Sequence, residues 1–161
     1  YEYKAKLTIL KEAARTLNYL TENNLLQYAD LEKKVEDIHS SYDRTGKELK
    51  GVEARLREVQ PLIKNISNYQ RLKPVYDAFQ KAKDKPGFKA KHEAELVIFE
   101  AARSTLLAMQ GDEKLPSLKT LKAEQAQLFE EQERLYAERN RLKKEAKQIE
   151  TIKSNVDTFS S

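Results

Sequence analysis

The sequence predicts an all-α protein of long amphipathic helices that pair as an elongated antiparallel coiled-coil hairpin. Apolar residues recur in a heptad pattern through more than five repeats in the first half of the chain. Charged residues make up 35% of the 161 residues and the hydrophobic set 39%, with only four Gly and four Pro. Such a composition suits helices that bury one stripe each and leave the remaining faces in water.

The composition also excludes several classes of protein. The chain has no Cys, which rules out a disulfide framework or a thiolate metal site. Its longest apolar run, Leu96 to Phe99, is far shorter than the ~20 residues of a membrane span. The first four residues lack the apolar segment of a signal peptide, and there is no initiator Met. We therefore expect a cytoplasmic protein without a membrane span, and a chain that is part of a longer protein.

The strongest heptad predicts one long helix over about residues 25–82. Its a and d positions alternate spacings of three and four without a slip, and they are occupied by Tyr28, Leu31, Val35, Ile38, Tyr42, Thr45, Leu49, Val52, Leu56, Val59, Ile63 and Ile66. Gly46 could mark a turn. The heptad phase is the same on both sides of it, however, and this favours an unbroken helix.

Capping and breaking residues refine this helix. Asn24 with Gln27 three residues later resembles a capping box, so Asn24 is the predicted N-cap. Pro61 and Pro74 each remove one backbone hydrogen bond and clash with the preceding turn. Because the heptad phase survives Pro61, we predict a kink there rather than a helix end. Beyond Ile66 the apolar spacing shifts to Tyr69, Leu72, Tyr76 and Phe79, and Pro74 is predicted to be a second kink.

Three further helices complete the prediction. A short amphipathic helix over about residues 4–22 presents an apolar stripe of Leu7, Leu10, Ala14, Leu17 and Leu20. A turn at residues 83–87, with Pro86-Gly87 as the breaker, precedes a helix over 88–110. Since this helix is apolar on several sides, it should contact more than one neighbour.

The last helix should follow a loop at residues 111–116 and cover about 117–159, opened by Ser117. One line of its heptad is apolar, formed by Leu121, Leu128, Leu135, Leu142, Ile149 and Val156. The other line is mostly polar, so this helix suits intrachain pairing with the long helix. The predicted architecture is a single domain over residues 1–161, with a two-helix tip and a three-helix base.

Charge is distributed unevenly along the chain. Residues 61–91 contain eight basic and two acidic residues, whereas residues 92–138 contain five basic and ten acidic residues. Two basic runs are candidate nucleic-acid contacts: Lys81, Lys83, Lys85, Lys89 and Lys91 around the predicted turn, and Arg139, Arg141, Lys143, Lys144 and Lys147 in the last helix. The competing interpretation is a solvated face in each case. Any binding would depend on phosphate charge and not on base-specific readout.

Catalytic chemistry has little support in the sequence. His39 and His92 belong to no His-x-His or His-x-x-x-His pair, and no phosphate loop, nucleophile elbow or EF-hand is present. Tyr69, Tyr76 and Phe79 could stack on bases, although packing in the core is the favoured interpretation. We predict no catalytic residue, no metal site, no cofactor and no small-molecule substrate.

Several stretches resemble the region that follows the catalytic domain in relaxases (mobilisation nucleases) of Gram-positive conjugative and mobilisable elements. They occur in one order along nearly the whole chain: TLNYLTENNLL at 16–26, ISNY at 66–69, VY with AFQKAKDKPGFKAKHEAE within 75–95, LPSLKTLKAE at 115–124, LYAE at 135–138 and IKSNVD at 152–157. Relaxases of this family nick one DNA strand with a tyrosine and a histidine cluster that holds a divalent metal. The His-hydrophobe-His motif of the catalytic domain has no counterpart in this sequence.

The resemblance implies a non-catalytic accessory region of a bacterial, cytoplasmic relaxase. Its partners would be DNA, through the phosphate backbone, and relaxosome or coupling proteins. The alternative is a stand-alone coiled-coil scaffold or dimerisation module unrelated to DNA. The half-polar seam of the last helix favours a monomer, with self-association as the competing state.

Overall fold

The computed structural model describes residues 2–111 and 114–160, which form five helices and no strand. The helices are α1 (Glu2–Glu22), α2 (Tyr28–Lys81), α3 (Lys85–Lys91), α4 (Glu93–Gln110) and α5 (Leu118–Ser160). The all-α fold class is therefore confirmed. Of the helices in the described part of the chain, none is long and apolar enough to cross a membrane. Two residues of the predicted loop at 111–116, 112 and 113, lie outside the described residues.

The chain divides into two compact units. Unit 1 contains the residues up to Lys50 and those from Glu133 onward, so it combines α1 with the first part of α2 and the last part of α5. Unit 2 contains Gly51–Gln132. The buried core of unit 1 is formed by Leu25, Leu31, Ile38, Leu142, Ile149 and Ile152.

Helix α1 enters unit 1 through a face that the sequence pattern did not select. Thr16 is buried, and its Oγ1 accepts a hydrogen bond from Asn155 Nδ2 at 3.2 Å. Tyr19 and Leu20 pack against the core on the same side. The rest of the predicted stripe, Leu7, Leu10, Ala14 and Leu17, is exposed. The prediction was wrong for these residues because α1 carries apolar side chains on two faces, and periodicity cannot say which face meets the core.

Asn24 ends α1 and does not cap α2. It lies at φ +55°, in the left-handed region, and its N–H donates to Thr21 O at 3.3 Å while the Leu25 N–H donates to Leu20 O at 2.7 Å. This pair of bonds is the Schellman motif, which satisfies the last carbonyls of a helix. Leu25 packs with Leu20 in the unit 1 core, the apolar contact that accompanies the motif. The predicted N-cap at Asn24 is therefore wrong, because the preceding helix uses this residue.

Helix α2 begins at Tyr28 and is helical through Gly46, as the unbroken heptad phase predicts. Pro61 and Pro74 both lie inside the helix, and the carbonyl of Pro61 accepts a hydrogen bond from Asn65 Nδ2 at 2.8 Å. The predicted kinks at the two prolines stay predictions. The buried seam residues of α2 in the two units are Leu31, Ile38, Thr45, Leu49, Leu56, Val59 and Ile66.

Unit 2 has its own core, built from α2, α4 and α5. Its buried members are Val59, Leu62, Ile66, Leu106 and Leu121. Towards the end of α2, Tyr69 and Tyr76 stack on Phe99 of α4, with ring centroids 5.1 and 4.6 Å away. Phe99 is 1% exposed. Both tyrosines thus pack against the interior of unit 2.

Ser117 opens α5 as predicted, because its Oγ accepts a hydrogen bond from the Thr120 N–H at 3.1 Å. The apolar line of α5 is the side that the units bury. Four of its six members are buried, namely Leu121, Leu135, Leu142 and Ile149. The sequence pattern therefore identifies the inward face of this helix correctly.

Candidate nucleic-acid interface

The first basic run lies where α2 ends and the chain reverses into α3. The connection is only residues 82–84, because α3 begins at Lys85. Asp84 is its N-cap, with Oδ1 accepting from the Gly87 N–H at 3.1 Å, and Pro86 lies in the first turn. The predicted turn at 83–87 is wrong in this respect. Pro is favoured at the start of a helix, where its missing N–H costs nothing, so Pro86-Gly87 begins α3 instead of preceding it.

The predicted helix at 88–110 is divided at His92. This residue has φ −120° and ψ 23°, ends α3 and precedes α4. Its ring stacks on Phe88 with centroids 4.4 Å apart, and Nδ1 lies 3.1 Å from Glu95 Oε1. The Phe88 ring also lies 6.1 Å from that of Phe79 near the end of α2. These aromatic contacts fix α3 beside the end of α2, so the two segments that carry the lysines are neighbours.

We call Lys81, Lys83, Lys85, Lys89 and Lys91 the turn lysines. All five are exposed, and none forms an ion pair with another residue in the described part of the chain. Two of the acidic residues near them in sequence are engaged elsewhere. Asp84 caps α3, and Asp77 Oδ2 lies 3.3 Å from Lys73 Nζ. The turn lysines therefore form a group of cations whose charge is not neutralised by the described ion pairs.

A structural role competes with binding for three of these lysines. Lys81 lies in the last turn of α2, and Lys89 and Lys91 lie in the last turn of α3. A cation at a helix C-terminus stabilises the helix by ~0.3–1 kcal/mol at an exposed position. Lys83 and Lys85 lie outside any last turn, so helix stability does not account for them.

The second basic run contains two arginines whose side chains have contacts within the chain and three lysines whose side chains form no ion pair among the described residues. The guanidinium of Arg139 lies 4.3 Å from the centre of the Tyr42 ring. Arg141 donates to Glu138 at 2.6 Å and to Glu145 at 2.8 Å. The hydrogen bond from Arg141 lowers the pKa of Glu138. Both arginines are thus occupied within unit 1.

The lysines of this run, Lys143, Lys144 and Lys147, are exposed on α5. Lys144 and Lys147 also line a cleft of about 610 Å³ together with Glu12 and Glu22 of α1. Since this cleft contains both signs of charge, it is a weaker candidate for a polyanion than the turn lysines are.

The second histidine of the chain, His39, also lies beside a carboxylate. His39 Nε2 lies 2.9 Å from Glu150 Oε1. In the described part of the chain, no three His, Asp or Glu side chains cluster in a way that could hold a metal ion.

One pair links α2 to α5 in unit 2 and was not anticipated. Arg55 binds Glu124 with two hydrogen bonds, from Nε and from Nη2, the latter at 3.2 Å. This contact lowers the pKa of Glu124. Sequence spacing carries no signal for such a pair, because it joins residues of different helices whose register the sequence leaves open.

Comparison of the chain with protein-family models, curated proteins and solved structures found no match.

Proposed function

We propose that this chain is a non-catalytic helical arm of a DNA-mobilisation relaxase, and that the turn lysines contact the DNA backbone. The observation that carries the proposal is the exposure of all five turn lysines without an ion-pair partner among the described residues. The sequence resemblance to the region following the catalytic domain of relaxases supports the same function. On this proposal the protein works in the bacterial cytoplasm beside relaxosome and coupling proteins.

The chemistry of the proposed contact is simple. A Lys ammonium is a compact point charge on a flexible stem, suited to a phosphate oxygen and not to a bidentate base edge. The ring contacts of Phe88 with Phe79 and His92 place α3, which carries Lys85, Lys89 and Lys91, beside the end of α2. Binding would be independent of sequence and would weaken as salt rises, because each neutralised phosphate releases condensed counterions.

The proposal also includes the manner in which the helices pair. Within unit 1, Tyr28 Oη donates to Asp157 Oδ1 at 2.8 Å and the Arg139 guanidinium lies 4.3 Å from the centre of the Tyr42 ring, so the position on α5 falls as the position on α2 rises. Within unit 2 the order is the same, because Gln132 Nε2 lies 3.5 Å from Glu53 Oε2 and Arg55 binds Glu124. These pairs, together with the buried heptad lines of both helices, support an antiparallel coiled coil of α2 with α5 in each unit.

The test is a salt titration of binding to single-stranded and double-stranded DNA by the chain. If all five lysines engage phosphates of duplex DNA, log Kobs should fall with log salt at a slope of about −4 to −5. Replacing the five turn lysines with Gln should leave helicity unchanged and remove most of this slope. Equal affinity and slope in the variant and the wild type would refute the contact.

A matched control separates a local contact from a general effect of charge. Lys33, Lys47, Lys50, Lys119 and Lys122 are also exposed, and their replacement with Gln removes the same net charge. This control variant should keep most of the wild-type affinity. A second variant with Gln at Lys143, Lys144 and Lys147 measures the share of the second basic run.

The second candidate function is protein–protein assembly without DNA contact, either in a relaxosome or as a scaffold unrelated to DNA. It is favoured by large apolar side chains that reach solvent on α1 and α4, such as Leu10 and Val97. Absence of DNA binding at low salt would leave this function in place of the first.

A further inference from the structure

Helix α4 is the most apolar of the helices, but only one side of it is covered. Leu96, Phe99, Ala102 and Leu106 are buried, whereas Val97 on the opposite side is 61% exposed. Leu106 on the covered side shares the unit 2 core with residues of both α2 and α5, so α4 contacts more than one neighbour, as the sequence predicts. Its outer face presents a heptad line to solvent, which we call the α4 stripe: Ala94, Val97, Ala101, Ser104 and Ala108.

Helix α1 presents a second uncovered line, which we call the α1 stripe: Tyr3, Leu7, Leu10, Ala14 and Leu17. Tyr3 is 78% exposed and Leu10 is 66% exposed. The spacings of four and three along this stripe are those of d and a positions in a coiled coil, so the surface it offers fits one more helix.

The charges beside the two stripes have opposite signs. Lys4 and Lys11 flank the α1 stripe at e positions, seven residues apart. Glu93 and Glu100 flank the α4 stripe at g positions and are also seven residues apart. All four side chains are on exposed residues, although Glu100 also lies 3.9 Å from Arg103. Since e of one helix faces g of its partner in a parallel coiled coil, this arrangement suits parallel pairing.

We propose that α1 of one copy of the chain pairs in parallel with α4 of a second copy. Pairing of α1 with α1 is disfavoured, because the residues flanking its stripe at Lys4, Lys6 and Lys11 are all basic. Parallel pairing of α4 with α4 would place Glu93 opposite Ile98 and Glu100 opposite Thr105, so it would form no ion pair at these positions. Only the mixed pair joins two apolar stripes and brings opposite charges together, so the charge pattern selects the partner.

One register satisfies both charge pairs. When Leu7 faces Ala101, Glu93 lies opposite Lys4 and Glu100 lies opposite Lys11. The same register places Leu10 against Ser104 in the next layer. Large side chains of α1 then meet small side chains of α4, which allows the two helices to approach closely.

Disulfide trapping tests both partner and register, because the chain has no Cys that would interfere. Leu10→Cys and Ser104→Cys variants are mixed under mild oxidation, one of them carrying a mass label. We expect a disulfide between position 10 of one chain and position 104 of the other as the main product. In the control mixture, an Ala94→Cys variant takes the place of the Ser104→Cys variant. Position 94 lies about 15 Å from position 104 along α4, so little disulfide product should form. The proposal would be overturned if disulfides between two chains at position 10 predominate, or if the position 104 and position 94 mixtures give equal yields.

Charge reversal tests the same pairing without cross-linking. Sedimentation equilibrium should show association that weakens with salt. The Lys4→Glu/Lys11→Glu variant should raise the dissociation constant about tenfold, and adding Glu93→Lys/Glu100→Lys to that variant should restore it. A Lys33→Glu/Lys47→Glu control changes the net charge equally and should associate like the wild type. A monomer at all concentrations up to about 0.5 mM, or a reversal without rescue, would refute the inference.

Discussion

The stacking of two tyrosines on Phe99 makes this residue the most demanding test of the unit 2 core. Phe99 is 1% exposed, and Phe129 on α5 is 44% exposed, so Phe→Ala at the two positions makes the same chemical change in different surroundings. At Phe99 the change removes the transfer free energy of a buried ring, about 1.5–3 kcal/mol. It also removes the stacking of Tyr69 and Tyr76, at about 0.5–1.5 kcal/mol for each ring pair. We expect a loss of about 3–5 kcal/mol at Phe99 and less than about 1 kcal/mol at Phe129.

The assay is urea unfolding followed by far-ultraviolet circular dichroism and by tyrosine fluorescence. Fluorescence adds a local signal, because Tyr69 and Tyr76 lose their contact with the ring at position 99. Equal losses of stability in Phe99→Ala and Phe129→Ala would mean that α4 does not pack on α2 through this ring. A large loss without a change in tyrosine emission would contradict the stacking but not the burial.

Three further predictions concern contacts at helix ends and between helices. Arg55 lowers the pKa of Glu124 below its ordinary value of 4.5. The carboxylate should therefore stabilise the folded protein at neutral pH, and this stabilisation should be lost as pH falls through the lowered pKa. The Glu124→Gln variant should be less stable than the wild type by up to about 1 kcal/mol at pH 7, and this difference should shrink below about pH 4 in urea titrations. Asn24 lies at φ +55°, which Gly adopts readily and Ala does not. In the same titrations, Asn24→Gly should change the free energy of unfolding by less than about 0.5 kcal/mol, whereas Asn24→Ala should lower it by about 1 kcal/mol. In Gly87→Ala the added methyl would overlap the Asp84 carboxylate, so the N-cap bond should be lost. The residue 87 amide should then lose its protection against hydrogen exchange, relative to its intrinsic rate, while unchanged protection would contradict the cap.

The helices themselves were predictable because their signal is local and repeated. Heptad spacing identified the buried line of α5 and correctly argued against a turn at Gly46. Where one residue suits two different local structures, the sequence alone could not decide between them. Asn24 suits both an N-cap and a left-handed C-cap, and the Schellman bonds of α1 decide for the latter. Pro86 suits both a turn and the first turn of a helix, and the cap from Asp84 decides for the helix.

The candidate interface was predictable to a different degree in its two parts. Exposure of the turn lysines follows from the high cost of burying an unpaired ammonium, so sequence alone suffices for it. Which cations are occupied depends on register between helices, and that is a tertiary property. Arg139 meets Tyr42 and Arg141 meets two glutamates, whereas Lys143 beside them has no such contact among the described residues. A run of like residues in the sequence thus separates into different roles once the helices pack.

The two glycines inside α2 give a test of the contact between Arg139 and Tyr42. Gly51→Ala should stabilise the protein by about 1 kcal/mol, because an added Cβ meets nothing within 4 Å and Ala is the better helix former. At Gly46 an added Cβ would lie 3.4 Å from Arg139 Nη1, so the methyl excludes water from the guanidinium that stacks on Tyr42.

We therefore expect Gly46→Ala to stabilise the protein less than Gly51→Ala does, by a few tenths of a kcal/mol. In an Arg139→Ala background the two gains should become equal, since the guanidinium that distinguishes them is gone. Urea unfolding of the four variants and their parents measures both differences. If Gly46→Ala stabilises the protein as much as Gly51→Ala does while Arg139 is present, the Arg139 guanidinium does not require the absence of a side chain at position 46.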